Sequence, residues 1–404
     1  MRALAGHRDF RLYAVVRLLF TTAMYMQAVA VAWMVYDLTR RPESLGALGL
    51  AQFVPAVLFL LFGGELADNF KRRSVLVVSY SVSALLSLAI YFECARTHPR
   101  LMVLYALLFC VGAARSFSVP AAQSLVQDVA PDGMGPASVR AVSVILEMAK
   151  LLGPALGGLL LGPLGVKGVL AGVAGIAALC VVAVAMISAG RVPLGTGRRG
   201  RDLFEGIRYV FSNRILLGAI SLDLFAVLFG GAVAMMPVYA RDVLHIGPEG
   251  LGMFRAAPGF GAVLMGAWLA VLPIKRHAGR WMFASVAAFG VATIGFAYST
   301  SVLLSTLLLV LLGVFDMVSV VTRSTLVQFG TPLELRGRVS AVSMLFIITS
   351  NDLGEVESGY LAGWLGNVAS VAWGGVGTLV VVALWAWAFP ELRRFESLDA
   401  PVVR

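Results

Sequence analysis

Charge is what this sequence has least of. Asp, Glu, Lys and Arg make up 13% of the 404 residues against 59% for the hydrophobic set, whereas a soluble domain usually carries about 25% charged residues. A shortage that deep excludes an ordinary water-exposed globular surface, and the mean hydropathy of +0.87 points to a membrane protein. Cysteine is also scarce. Cys94, Cys110 and Cys180 are odd in number and lack paired or metal-like spacing, so they read as small hydrophobes without redox function. His7, His98, His245 and His277 all fall in expected loops, which argues against a metal path through the membrane. The chain has no Gly-x-x-x-x-Gly-Lys-Ser/Thr loop, so ATP drive is unsupported, and neither catalysis nor a cofactor or metal is expected. Residues 1–11 show no small-residue cleavage pattern, so the first apolar run is expected to be retained.

What is present is a succession of apolar runs, each long enough to cross a hydrocarbon layer of roughly 30 Å as a helix of about 20 residues. Runs bounded by charges, Pro or Gly predict twelve spans, at 12–37, 45–67, 73–93, 100–121, 138–161, 166–189, 214–239, 250–274, 280–299, 302–327, 338–362 and 368–389. The expected fold class is therefore an all-α membrane protein. Its net charge of +10 sits in short segments between the runs, which fits membrane orientation and not nucleic-acid binding. With both termini placed in the cytoplasm, 21 of the 32 Lys and Arg fall on that side, including Lys71–Arg73, Lys275–Arg280, Arg336, Arg338, Arg393 and Arg394. That bias sets the expected orientation, a multi-pass protein of the cell (inner) membrane.

The longest polar connection lies at the midpoint and divides the chain into a six-span bundle over 1–190, a cytoplasmic linker over 191–213, a second six-span bundle over 214–390 and a cytoplasmic tail over 391–404. The two bundles are similar in sequence. "SLVQDVAP" at 124–131 matches "TLVQFGTP" at 325–332, a shift of 201 residues. The same shift pairs Gly153 with Gly354, Gly158 with Gly359 and Gly162 with Gly363. An even number of spans per repeat leaves both in one orientation, the parallel-repeat arrangement of secondary transporters with a substrate path between the halves.

Two motifs carry a family resemblance. The loop "GGELADNFKRR" between the second and third spans, with Gly64, Asp68, Arg72 and Arg73, resembles the loop signature of the major facilitator superfamily, although Asn69 and Lys71 stand where that family has Arg and Gly. In the fifth span, Gly153, Pro154, Gly157 and Gly158 resemble the Gly-Pro-x-x-Gly-Gly signature of its exporting, antiporter branches. Physically, the glycines admit a neighbouring helix and the proline kinks this one. With the repeat, "RGRVSAV" and the "FPELRR" tail, the chain looks most like the enterobactin-exporter-like branch. The resemblance implies two six-helix halves and a gating role for the first motif. It also implies efflux of a small organic molecule, drug- or siderophore-like; protons are the expected coupling ion and a monomer the expected state.

Charges inside the spans cost several kcal/mol each unless paired or hydrated, and so are functional candidates. Ten are singled out: Arg17, Arg115, Glu147, Lys150, Asp223, Asp316, Arg323, Asp352, Glu355 and Glu357. Glu147 and Lys150, three apart, either neutralise each other or serve the path, and Arg115 has Glu147 as a candidate partner. Asp223 has no cation within a turn of its own helix, which makes it the first candidate for carrying a proton, with pairing to Arg17 or Arg323 as the alternative. Asp316 and Arg323 share a face two turns apart. Of the acids in the eleventh span, Asp352 and Glu355 are spaced to point the same way, whereas Glu355 and Glu357 cannot share a face. The cation excess at Arg17, Arg115 and Arg323 favours an anionic or zwitterionic substrate. A passive facilitator or importer of the same fold and a non-transporting scaffold or sensor are the alternatives.

Overall fold

The computed structural model describes residues 6–131, 133–188, 199–274, 276–332 and 335–396. Within these, the side chains of 60–69, 136, 199–204 and 348 lie outside the description. Helices dominate: α1 (Arg8–Thr39), α2 (Glu43–Asn69), α3 (Arg72–Ala95), α4 (Leu101–Asp128), α5 (Gly135–Ala185), α6 (Arg199–Ser212), α7 (Arg214–Phe229), α8 (Ala232–Val238), a π turn at Tyr239–Val243, α9 (Gly247–Val271), α10 (Ala278–Tyr298), α11 (Val302–Phe329), α12 (Arg336–Leu365), α13 (Asn367–Ala388) and the short α14 (Pro390–Arg393).

Ten of these segments are long and apolar enough to cross a bilayer. One of the ten is two spans in series. The 51-residue α5 leaves helical geometry at Gly165 (φ 64, ψ 176), a conformation that glycine adopts without a Cβ clash. The 27-residue α2 completes twelve. The fold is the expected all-helical, multi-span one.

The predicted seventh span, 214–239, is not continuous. Asn213 caps its start, its Oδ1 accepting from the Ile215 and Leu216 N–H groups at 3.1 Å each. Helix α7 then stops at Phe229, and α8 and the π turn follow. The break falls on Gly230–Gly231, and Pro237 further on brings no N–H to the ladder, both ordinary causes of kinking. A Cβ at Gly231 would lie 1.8 Å from Ser358 Oγ and 2.7 Å from Ser358 Cβ, so a larger residue there would force Ser358 to move.

The chain forms two compact units, one of residues 1–39, 50–197 and 247–253, the other of 40–49, 198–246 and 254–404. The first is packed around Phe10, Tyr13 and Phe20 of α1, Leu76 and Tyr80 of α3, Leu125 of α4 and Cys180 of α5. The second is packed around Leu216 and Ile220 of α7, Met282 and Val286 of α10, Leu326 of α11, Val339 of α12 and Val381 of α13. Their packing repeats as the sequence does. In the first unit Gly112 of α4 seats against Gln52 and Pro55 of α2; in the second, Gly313, 201 positions later, seats against Pro258 of α9.

Two segments expected to be connections are docked on the second unit. The linker contains α6, whose Val210 is buried. Tyr209 donates its hydroxyl to Gly330 O at 3.2 Å, and Glu205 pairs with Arg338. Ile207 and Val210, at helical spacing, and Tyr209 supply the face that packs on the core of the second unit, while Phe211 is exposed. The tail begins with α14, whose Leu392 is buried, and Arg214 pairs with Glu391 at 3.0 Å.

Candidate functional site

Asp223 of α7 and Arg323 of α11 are each only 4% exposed and form an ion pair in the second unit. Ser319, one turn before Arg323, donates to Asp223 Oδ1 at 3.1 Å. Asp223, Asp316 and Ser319 line one narrow cleft with Phe289 and Phe315. Its volume is about 10 Å³, roughly one water molecule. Of the two readings of Asp223, the isolated carboxyl is corrected and pairing with Arg323 is the one found: its own helix carries no nearby cation, but Arg323 reaches it from another. Single-helix spacing is blind to a partner a hundred residues away. The separation of Asp316 from Arg323 by two turns holds, with Arg323 turned to Asp223.

The first unit holds a buried cation without that compensation. Arg17 of α1 is 8% exposed, and its Nη1 donates to Tyr80 Oη of α3 at 3.4 Å. Its Nε has no partner, and no carboxylate among the described residues pairs with it. Tyr80 stacks on Phe20 with ring centroids 3.6 Å apart. Tyr13, one turn before Arg17, donates its hydroxyl to Ala122 O at 2.6 Å. The two tyrosines were not legible as site residues, because aromatics at helical spacing in an apolar run read as packing.

Other charges fall elsewhere. Glu147 and Lys150 pair at 2.6 Å with side chains 67% and 50% exposed, the self-neutralising arrangement. Arg115 is exposed and makes no ion pair with Glu147. In α12, Glu355 and Glu357 point apart, as their spacing requires. Glu355 packs on Gly49 and lies within electrostatic reach of Arg255, a half-buried residue of α9 that met the rule for charges inside the spans, within 250–274, and was missed. Glu357 accepts from Ser358 Oγ at 3.2 Å. Asp352 presents its carbonyl oxygen to Gly49, on the Glu355 side of the helix. Asn351 makes only a local bond to Ile347 O.

Of the first motif, the side chains of Gly64 and Asp68 lie outside the described residues, at the end of α2. Arg72 donates to Asp128 Oδ1 at 2.8 Å and to Ser124 O at 3.2 Å, tying the start of α3 to the end of α4. Arg73 donates to Ala185 O. Asp128 was also missed, and the repeat has Phe329 in its place. The glycines of the second motif admit close helix approach: a Cβ at Gly153 would lie 2.5 Å from Tyr25 Cβ, and one at Gly158 would lie 1.9 Å from Gly252 Cα. Pro154, beside Gly153, lies inside α5.

The model of the Major Facilitator Superfamily matches residues 13–350. The chain is 24% identical over 410 residues to the enterobactin exporter EntS of Escherichia coli O81 (strain ED1a), covering 99% of this chain and 96% of that one. It is 23% identical over 405 residues to the exporter of the same name in Citrobacter koseri, covering 98% and 95%. Among solved structures, an inward-facing, occupied bacterial homolog of the human lysosomal transporter Spinster superimposes with a TM-score of 0.75 at 14% identity, over 96% of this chain and 97% of that one. The nucleoside transporter NupG, solved as a point mutant, gives 0.70 at 13% identity, over 95% and 99%.

Proposed function

This chain belongs to the major facilitator superfamily, a family of multi-pass membrane transporters and not enzymes, and from that premise we propose proton-coupled efflux of a small anionic or amphipathic organic molecule. The full-length likeness to enterobactin exporters supports the outward direction. One observation carries the coupling: Asp223 and Arg323 are buried together beside a cleft shared with Asp316. A proton that reaches Asp223 has to displace Arg323 from it, so protonation and the arrangement of α7 against α11 change together. The break in α7 at Gly230–Gly231 gives that helix a place to bend, as discontinuous helices do at transporter sites.

In this reading the two six-helix bundles of the sequence alternate access to the substrate, Gly64, Asp68, Arg72 and Arg73 bias the gate, and both termini face the cytoplasm. A monomer suffices. The test is a comparison of culture-medium and cell metabolites between deletion and overexpression strains. One organic acid should accumulate outside on overexpression and inside on deletion; the opposite pattern would make the protein an importer. The passive-facilitator alternative draws on the same ion pair, because a carboxylate already neutralised by Arg323 has a purely structural use.

A further inference from the structure

We infer that Arg17 and Tyr80 form an anion-binding site in the first unit that receives the acidic group of the transported molecule, leaving the Asp223–Arg323 pair to other work. The inference rests on the export reading and deepens it. Its basis is a difference between the two repeats at one position. Helices α1 and α7 start 206 positions apart, which places Arg17 at the position of Asp223. Helices α4 and α11 start 201 apart, which places Ala122 at the position of Arg323 and Ser118 at that of Ser319. In both units this spot joins the same two elements, through Asp223 with Arg323 and Ser319 in one and through Tyr13 with Ala122 O in the other. The second unit supplies a counter-charge there. The first supplies a methyl group.

A guanidinium removed from water and left without an anion is held against a large desolvation cost, and a fold that keeps it has a use for the anion it attracts. Arg17 offers the donors for one. Its hydrogen bond among the described residues is the 3.4 Å contact to Tyr80, Nε is bare, and a planar fork of N–H groups suits the two oxygens of a carboxylate. The Tyr80 hydroxyl, now an acceptor, has a proton of its own to donate to the same anion. Phe20, stacked on Tyr80, holds that ring in place and adds an apolar wall. Three other cations in the spans differ from it: Arg323 is taken by Asp223, Arg255 has the carboxylate of Glu355 within electrostatic reach, and Arg115 is exposed.

The test is calorimetric titration of the full-length, detergent-solubilised protein with benzoate, with benzamide as its neutral isostere and with chloride. Saturable binding of benzoate and none of benzamide is expected. Arg17→Gln should abolish it, Arg17→Lys should weaken it by about tenfold or more through loss of the fork, and Tyr80→Phe should weaken it to a smaller degree. Arg115→Gln should leave it unchanged, and size-exclusion profiles and circular dichroism identify any variant that has not folded. Benzoate binding that survives Arg17→Gln, binding lost instead in Arg115→Gln, no binding to the wild type, or chloride binding as tight as benzoate would each overturn the inference. Export seen in cells without benzoate binding would overturn it and leave the export reading standing.

Discussion

Among individual side chains, the Asp223–Arg323 pair is the interaction with most at stake. Removing one member strands a charge at 4% exposure, and breaking a buried pair in this way costs about 3–5 kcal/mol. Asp223→Leu and Arg323→Leu should each lower the thermal unfolding midpoint of the purified protein sharply, and the double variant should recover much of the loss. Additive losses would show that the two side chains do not act on each other. A second prediction concerns Asp128, whose side chain is 5% exposed and holds Arg72. Asp128→Asn should cost about 1–3 kcal/mol, the range for an unsatisfied partner at a charged hydrogen bond, read in the same unfolding experiment. These two sites mark what the sequence can disclose. The acids and cations inside the spans are visible because charge is rare there. Who pairs with whom is not, since Arg323 reaches Asp223 and Asp128 reaches Arg72 across helices, and no periodicity within one helix records that.

Between helices, glycines set how near the axes come. The equivalent positions Gly112 and Gly313 differ in what a methyl group would strike. At Gly313 it meets Pro258 O at 1.7 Å, while at Gly112 the nearest atoms are Gln52 O and Pro55 Cγ at 2.8 Å. Gly313→Ala should therefore destabilise more than Gly112→Ala, with overpacking of roughly 1–3 kcal/mol as the expected range. Equal midpoints for the two variants would contradict this reading of the crossings. Span positions were legible because twenty apolar residues have few other fates. The interruption of α7 was not, because Gly230, Gly231 and Pro237 are each tolerated in membrane helices, and what decides is Ser358 packed on Gly231. Helix α6 was hidden for a different reason: its apolar face is short, set among arginines and glycines, and it is stabilised by docking on the second unit.

Across the full chain, duplication is the organising fact. The shift of 201 residues reappears in the matched glycine crossings, and each unit has one polar spot, 206 positions apart, with opposite charge at Arg17 and Asp223. A duplicated scaffold that keeps its packing and changes its charges can separate two tasks, here proposed as anion capture in one repeat and proton exchange in the other. That separation is tested by following lumenal pH in proteoliposomes during transport of the organic acid found by the metabolite comparison. Wild-type protein should move protons against the acid, and Asp223→Asn should keep substrate counterflow while proton movement is lost. Proton movement of wild-type size in Asp223→Asn would contradict the assignment of coupling to this carboxylate.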